Sequence, residues 1–324
     1  MRAIIPVAGV GSRLRPHTYS VPKVLLNVAG KPIIGHILDK IIEAGFDEAT
    51  IIVGYLGEMI KEYALKNYKI KFDFVEQEER LGLGHAIYLA KNTFSNNPIL
   101  IILGDTIFDV DLKAMVACQR TQIGVKHVDD PRRFGVAETI DGQISRLVEK
   151  PENPNSNLVI VGLYYITKPL LLSECLKEMI DSNIRTKDEF QLTDALQMMI
   201  ERGEKMETFL VEGWFDCGKP ETLLSTNKHL LEFQPIPSPI KSVVIVPPVF
   251  ISKKAKVSNA IIGPNATIAD NAFVANSIIS NSIIGEGATV VNTLLEESLI
   301  GTNAVVRGNY KRINIGDSSE LEFY

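Results

Sequence analysis

The chain is poor in the residues that staple small proteins or bind metal in them. Its three cysteines, Cys118, Cys175 and Cys217, stand far apart in 324 residues. That spacing suits neither a zinc knuckle nor a disulfide framework, and it fits a reducing compartment. Five histidines, at positions 17, 36, 85, 127 and 229, show no metal-ligand spacing, and no catalytic triad stands out. No apolar run approaches the ~20 residues of a membrane span. Positive charge is not in excess either. Lys and Arg number 34 against 39 Asp and Glu, a net charge of -5, which argues against a nucleic-acid footprint. A strand pattern begins within a few residues of Met1, leaving no room for a signal peptide. The expectation is a cytoplasmic protein with neither a membrane nor a nucleic-acid partner.

What the chain does have is enough apolar residue, 45%, for a large core. Its length suits about two domains. Apolar runs at Ala3–Val7, Thr50–Gly54, Ile70–Val75 and Ile99–Leu103 read as buried strands. Amphipathic stretches at Pro32–Ala44, Tyr55–Asn67 and Gly84–Thr93 separate them. This rhythm predicts a parallel sheet with helices on both faces and ligands at the carboxyl ends of the strands. Shorter strand runs follow between Thr121 and Ile166. Helix patterns then return at Pro169–Ser182, Glu189–Arg202 and Pro220–Glu232.

Three alternating prolines in residues 233–239 (Phe233-Gln234-Pro235-Ile236-Pro237-Ser238-Pro239) mark an extended linker. The expected domains are therefore 1–232 and 240–324. In the second, aliphatics recur at Ile251, Val257, Ile262, Ile268, Val274, Ile279, Ile284, Val290, Leu295, Ile300 and Val306, in steps of 5 or 6. Neither a helix nor simple strand alternation produces that period; a β-helix of hexapeptide-like repeats does. The solenoid is expected to be structural and to serve homo-oligomer assembly.

The stretch Ile4–Pro32 carries the first chemical signal. Ala8, Gly9 and Gly11 form a small-residue turn after a strand, and Ser12, Arg13 and Lys23 follow. Crowded backbone N–H groups with two cations make an anion cradle. It is not Walker A, and Leu14 breaks the dinucleotide fingerprint. Asp105 ends the strand Ile99–Leu103, and Asp216 follows Gly213-Trp214-Phe215. Two such carboxylates can share Mg²⁺ with phosphate oxygens. Gln77 offers an amide to a base edge, and Gly82 permits close backbone approach. Glu149 and Lys150 can meet sugar hydroxyls and a phosphate. His85 reads as a helix-start hydrogen bonder and Trp214 as packing.

Together these motifs resemble the sugar-1-phosphate nucleotidylyltransferases, over nearly the whole chain. Gly9-Val10-Gly11-Ser12-Arg13-Leu14-Arg15-Pro16-His17-Thr18 is similar to the family's nucleotide-binding signature, with Ser12 where Thr is commoner. Leu103-Gly104-Asp105, Phe134-Gly135-Val136, Glu149-Lys150-Pro151, Gly162-Leu163-Tyr164, Gln191-Leu192-Thr193-Asp194 and Trp214-Phe215-Asp216-Cys217-Gly218 follow in order. The resemblance implies that Arg13 and Lys23 hold a triphosphate, with Asp105 completing the catalytic set. Ala8, Gly9, Gly11 and Ser12 would wrap the nucleotide, and Gln77 and Gly82 would read its base. Asp105 and Asp216 would ligate Mg²⁺. Gly135, Glu149, Lys150, Gly162 and Tyr164 would line the sugar-phosphate pocket. The expected fold is α/β, a mixed, mainly parallel Rossmann-like sheet plus a left-handed β-helix. The expected reaction joins a nucleoside triphosphate, dTTP ahead of UTP, to glucose 1-phosphate. Pro6-Val7-Ala8-Gly9 and Gly82-Leu83-Gly84-His85-Ala86 look like uridylyltransferases, whereas the Gly213–Gly218 segment and the solenoid look like long-form thymidylyltransferases. The alternatives are a UTP- or GTP-dependent enzyme for another hexose 1-phosphate, or a catalytically silent homologue.

Overall fold

A computed structural model describes residues 1–308; the expected tail of the second domain beyond residue 308 lies outside the described residues. The chain divides into two compact units. One comprises Met1–Asn27 and Lys31–Thr226; the other comprises Val28–Gly30 and the chain from Asn227 onward.

The first unit opens with β1 (Arg2–Pro6), two two-residue strands, β2 (Asn27–Val28) and β3 (Lys31–Pro32), and α1 (Ile33–Glu43). Then come β4 (Glu48–Val53), α2 (Gly57–Asn67), β5 (Lys71–Glu76), α3 (Leu83–Leu89), β6 (Ile99–Ile102), β7 (Thr106–Asp109) and α4 (Leu112–Ala117). The second half holds β8 (Thr121–His127), β9 (Gly135–Ile140), β10 (Gln143–Glu149), β11 (Leu158–Ile166), α5 (Pro169–Asp181), α6 (Leu192–Glu201), β12 (Met206–Leu210), β13 (Gly213–Asp216) and the start of α7 (Pro220–Leu231), whose last residues, from Asn227, fall in the second unit.

Nine strands form one sheet in the order β5-β4-β1-β6-β11-β8-β12-β10-β9. The first four run parallel, as the β-α rhythm predicts. Beyond β6 the pairing is antiparallel, apart from the parallel pair β8 and β12. The sheet is therefore mixed, and the mainly parallel arrangement expected from the sequence holds for its first four strands. Ile4, Ile99 and Ile101 pack in one core with Ile87, Leu176 and Leu196 from α3, α5 and α6. The intervening Ala3, Ile5, Leu100 and Ile102 point the other way and are equally buried. Both faces of the central strands are covered, which is why these strands read as unbroken apolar runs.

Two elements depart from the sequence pattern for a tertiary reason. The helix expected from Glu189 starts only at Leu192, because the Phe190 backbone pairs elsewhere. Its N–H donates to Leu81 O at 2.8 Å, and its carbonyl accepts from Gly84 N–H at 2.8 Å. The short ribbon of β7 and β13 was not foreseen; it pairs Asp216 with Thr106 and Phe215 with Ile107.

In the second unit, twelve strands of two or three residues build three parallel four-stranded sheets. Along one of them, successive partners are Ile251, Ile268, Ile284 and Ile300. One coil thus advances 17 residues at first and 16 later, as the asparagine contacts between coils also do. A 17-residue coil contains one five-residue step and a 16-residue coil two, which accounts for the recurrence. Ile262, Ile268, Val274, Ile279, Ile284 and Val290 are fully buried, and the other aliphatics of the recurrence pack against them. Asn259, Asn276 and Asn292 turn one corner with positive φ, a conformation asparagine tolerates. Their side chains bond coil to coil, at 3.4 and 3.0 Å. Among the described residues, no helix is long and apolar enough to cross a membrane.

Ile279→Ala should lower the stability of the second unit by ~2–5 kcal/mol, the usual cost of emptying a fully buried aliphatic site. Thermal unfolding followed by circular dichroism checks this; a transition unchanged from wild type would contradict the interior assignment.

Candidate functional site

The site is built at the carboxyl ends of β1 and β6. After Pro6, the Val7 N–H still bonds to Ile52 O at 2.8 Å, and the chain then leaves the sheet through Ala8–Gly11. Gly11 has φ +63°, and a methyl group there would lie 3.0 Å from both Lys23 Cβ and Thr18 Cγ2. Glycine therefore lets the loop fold back against Lys23. Thr18 Oγ1 fixes the fold by donating to Gly11 O at 2.9 Å, and Leu14 anchors it in the core.

Lys23 is buried, with 8% of its side chain exposed. Its Nζ lies 2.8 Å from Asp105 Oδ2 and 3.8 Å from Asp216 Oδ1. Asp105 follows β6, whereas Asp216 arrives through the β7–β13 ribbon, and the Cys217 N–H donates to Asp105 O at 3.1 Å. Both carboxylates keep 43% of their side chains exposed. Arg13 reaches the same place. A methyl at Gly218 would sit 2.7 Å from Arg13 Nη2 and 2.9 Å from both Asp216 oxygens, so guanidinium and carboxylate flank that glycine.

Two clefts meet here. The first, about 330 Å³, is lined by Ala8, Gly9, Lys23, Gln77, Gly82 and Asp105 among others. Gly11, Ser12 and Arg13 are not part of its wall; Ser12 and Arg13 are exposed beside it in the chain. Gly82, with φ +110°, presses on the Phe190 backbone, where a methyl would come within 2.5 Å of Phe190 O. The second cleft, about 470 Å³, shares Leu83, Leu103 and Asp105 with the first. Its wall includes Gly135, Glu149, Gly162, Tyr164 and Asp216.

Glu149 is held on two sides, accepting from Thr193 Oγ1 at 2.7 Å and facing Lys150 Nζ at 3.3 Å. Burial and the nearby charge of Glu149 push the Tyr164 phenol up, so it stays a neutral donor. Lys150, expected in this group, is not in the wall of the second cleft, but its ammonium faces Glu149, which is. With φ +45° Lys150 lines a third hollow beside Arg132, Arg133 and Lys187. Trp214 does both jobs, stacking edge-on against Phe134 at 5.2 Å and lining the second cleft.

Arg133, Gln191 and Thr193 line the second cleft as well. Gln191 and Thr193 lay in a motif whose role was unread; Arg133 carried no sequence signal. Among the described residues, no three His, Cys, Asp or Glu side chains gather as a metal site.

Cys217, between Asp216 and Gly218, is not a nucleophile. Burial, helped by the charges of Asp105 and Asp216, pushes its thiol up to about 12. Burial also raises the Cys175 thiol, whereas Cys118 is partly exposed. Titration of the native protein with a disulfide reagent at pH 8 should therefore modify Cys118 alone; rapid loss of the Cys217 thiol would contradict this placement.

Residues 2–232 match the family described as "Nucleotidyl transferase". The chain is 32% identical to UTP--glucose-1-phosphate uridylyltransferase AglF of Haloferax volcanii, over 72% of this chain and 97% of that one. It is 31% identical to the low-salt glycan biosynthesis nucleotidyltransferase Agl11 of the same organism, over 72% of this chain and 66% of Agl11. Against the bifunctional protein GlmU of Methanocaldococcus jannaschii the identity is 40%, over 72% of this chain and 55% of that protein. Among solved structures, a UDP-glucose pyrophosphorylase complexed with UDP-glucose matches with a TM-score of 0.61 and 28% identity, over 72% of this chain and 99% of that one. A putative glucose-1-phosphate thymidylyltransferase from Bacillus anthracis matches with a TM-score of 0.62 and 26% identity, over 74% of this chain and 98% of that one.

Proposed function

Because the chain belongs to the nucleotidyl transferase family, we propose that its first 232 residues transfer a nucleotidyl group from UTP or dTTP to glucose 1-phosphate. The observation that carries this reading is the buried Lys23 ammonium, bracketed by Asp105 and Asp216 where the two clefts meet. The relatives named for uridylyl and thymidylyl transfer support it. UTP and dTTP present the same N3–H and O4 edge, so both are taken as donors.

The reaction needs little acid–base help. An oxygen of the sugar 1-phosphate, already anionic, attacks the α-phosphorus in line. The bond from that phosphorus to the bridging oxygen breaks, and pyrophosphate leaves with the electron pair. The barrier is alignment and crowded negative charge. In this reading the first cleft takes the nucleotide, with Ala8, Gly9, Gly11 and Ser12 around the phosphates and Gln77 and Gly82 at the base. Arg13 and Lys23 neutralise charge that builds up as the new bond forms. Glu149 accepts from sugar hydroxyls in the second cleft, held by Thr193, while Tyr164 donates. Lys150 would reach a phosphate only from the neighbouring hollow.

Asp105 and Asp216 suit Mg²⁺. They are hard oxygen donors, partly exposed toward the second cleft, and they leave positions for phosphate oxygens and water. Bound there, the ion would withdraw charge from the reacting phosphates. The remaining assignments are a 233–239 linker, a left-handed β-helix over 240–324 that joins copies of the chain, and a cytoplasmic location in keeping with three free cysteines.

Pyrophosphate release should be strongest with UTP or dTTP plus glucose 1-phosphate when the nucleoside triphosphates are crossed with several sugar 1-phosphates. EDTA should abolish it and Mg²⁺ restore it. Lys23→Ala and Arg13→Ala should each lower kcat by at least ~10²-fold, as deletion of one transition-state donor does. Near-normal turnover in both variants would remove the assignment.

A further inference from the structure

The Gln77 amide faces His85, which the sequence alone leaves as a helix-start residue. Gln77 follows β5, lines the first cleft and is itself buried. Its Nε2 lies 3.3 Å from Gly82 O and 3.4 Å from His85 Nδ1. A carbonyl can only accept, so the atom facing Gly82 O is the NH₂ group. That group also faces Nδ1, which must then be the unprotonated ring nitrogen. No group among the described residues donates to Gln77 Oε1. His85 itself is not part of the cleft wall.

We propose that His85 is a positioning residue that fixes the Gln77 amide with Oε1 offered to the cleft, so that the site takes pyrimidines with a ring N3–H, uracil and thymine, over cytosine, whose N3 carries no hydrogen. This rests on the first cleft being the base site. Uracil and thymine carry N3–H, which Oε1 accepts. Cytosine N3 is an acceptor and would face Oε1 lone pair to lone pair. A site built to bond one edge discriminates strongly against an edge that lacks the partner.

The lock is sensitive to acid. A protonated ring turns Nδ1 into a donor, which attracts Oε1 and works against Gly82. Burial lowers the His85 pKa, opposed by the Glu79 charge and its main-chain contact and assisted by the Arg185 charge. Arg80 and Glu189 line the cleft nearby. The neutral, locked form therefore persists below the ordinary imidazole range and is lost only as the pH falls further.

The test is binding of UTP, dTTP and CTP to the full chain, by calorimetry, from pH 8 down to 4.5, in wild type, His85→Leu and His85→Asn. At pH 8 the wild type should prefer UTP and dTTP over CTP by at least ~10²-fold. His85→Leu leaves Gly82 as the one restraint, and the preference should drop about tenfold, by the loss of one hydrogen bond to a buried amide. Asn Oδ1 can replace Nδ1 without titrating, so His85→Asn should keep the preference. Cytosine N3 protonates near the acid end, and His85→Asn carries that effect alone; wild type should lose selectivity beyond it. Unchanged selectivity in His85→Leu, or identical pH curves for wild type and His85→Asn, overturns the proposal. Selective binding that follows the predicted pattern without pyrophosphate release leaves this inference standing and removes the transferase reading. Failure of all three nucleotides to bind removes both.

Discussion

A buried ammonium has to be matched, and much of the first unit is arranged to match Lys23. Lysine is almost never buried without a partner, because an unpaired charge out of water is costly. Here two carboxylates supply the match at 2.8 and 3.8 Å. They come from different places, one after a central strand and one from a short ribbon, while Lys23 itself sits on a loop folded back by Gly11 and Thr18. Three distant segments are thus tied to one point. The resulting charge is held in place before any ligand arrives, which is what electrostatic stabilisation of a crowded anionic transition state requires.

That point lies on the seam between two kinds of sheet. Parallel strands β5, β1 and β6 end in the loops of the first cleft, as open α/β sheets commonly place their ligand loops. The mostly antiparallel strands beyond β6 contribute the second wall, with Glu149 on β10 and Gly162 and Tyr164 on β11. β11 lies antiparallel to β6, and that contact brings the two walls together. Leu83, Leu103 and Asp105 belong to both clefts, so groups held in each would meet beside Lys23 and Asp216.

The second unit obeys a simpler constraint. Strands of two or three residues are too short to be stable alone; each is held by the coils above and below it. Aliphatic side chains fill the inside, and asparagines in left-handed turns close a corner and bond to one another along the stack. The same small set of residues recurs because each coil repeats the same geometric problem.

This difference decides what could be read in advance. The solenoid, the four N-terminal strands, the glycine turn and Asp105 are local features, set by periodicity and near neighbours, and the sequence alone determined them. The asparagine corners were equally local, spaced by one coil, and went unread. Other features hang on contacts between segments far apart in the chain. The β7–β13 ribbon brings Asp216 to Asp105, Phe190 delays α6 and closes on Gly82, and Thr193 steadies Glu149. Lys150, with a positive φ, lines a hollow beside the second cleft while its ammonium faces Glu149. The antiparallel half of the sheet is of the same kind, since strand order reflects which apolar faces bury best together. A side chain's type is written in the chain, whereas its neighbours across the fold are set only when distant backbone hydrogen bonds and buried charges are satisfied at once, and that is why tertiary structure alone placed Asp216, Thr193 and the amide of Gln77.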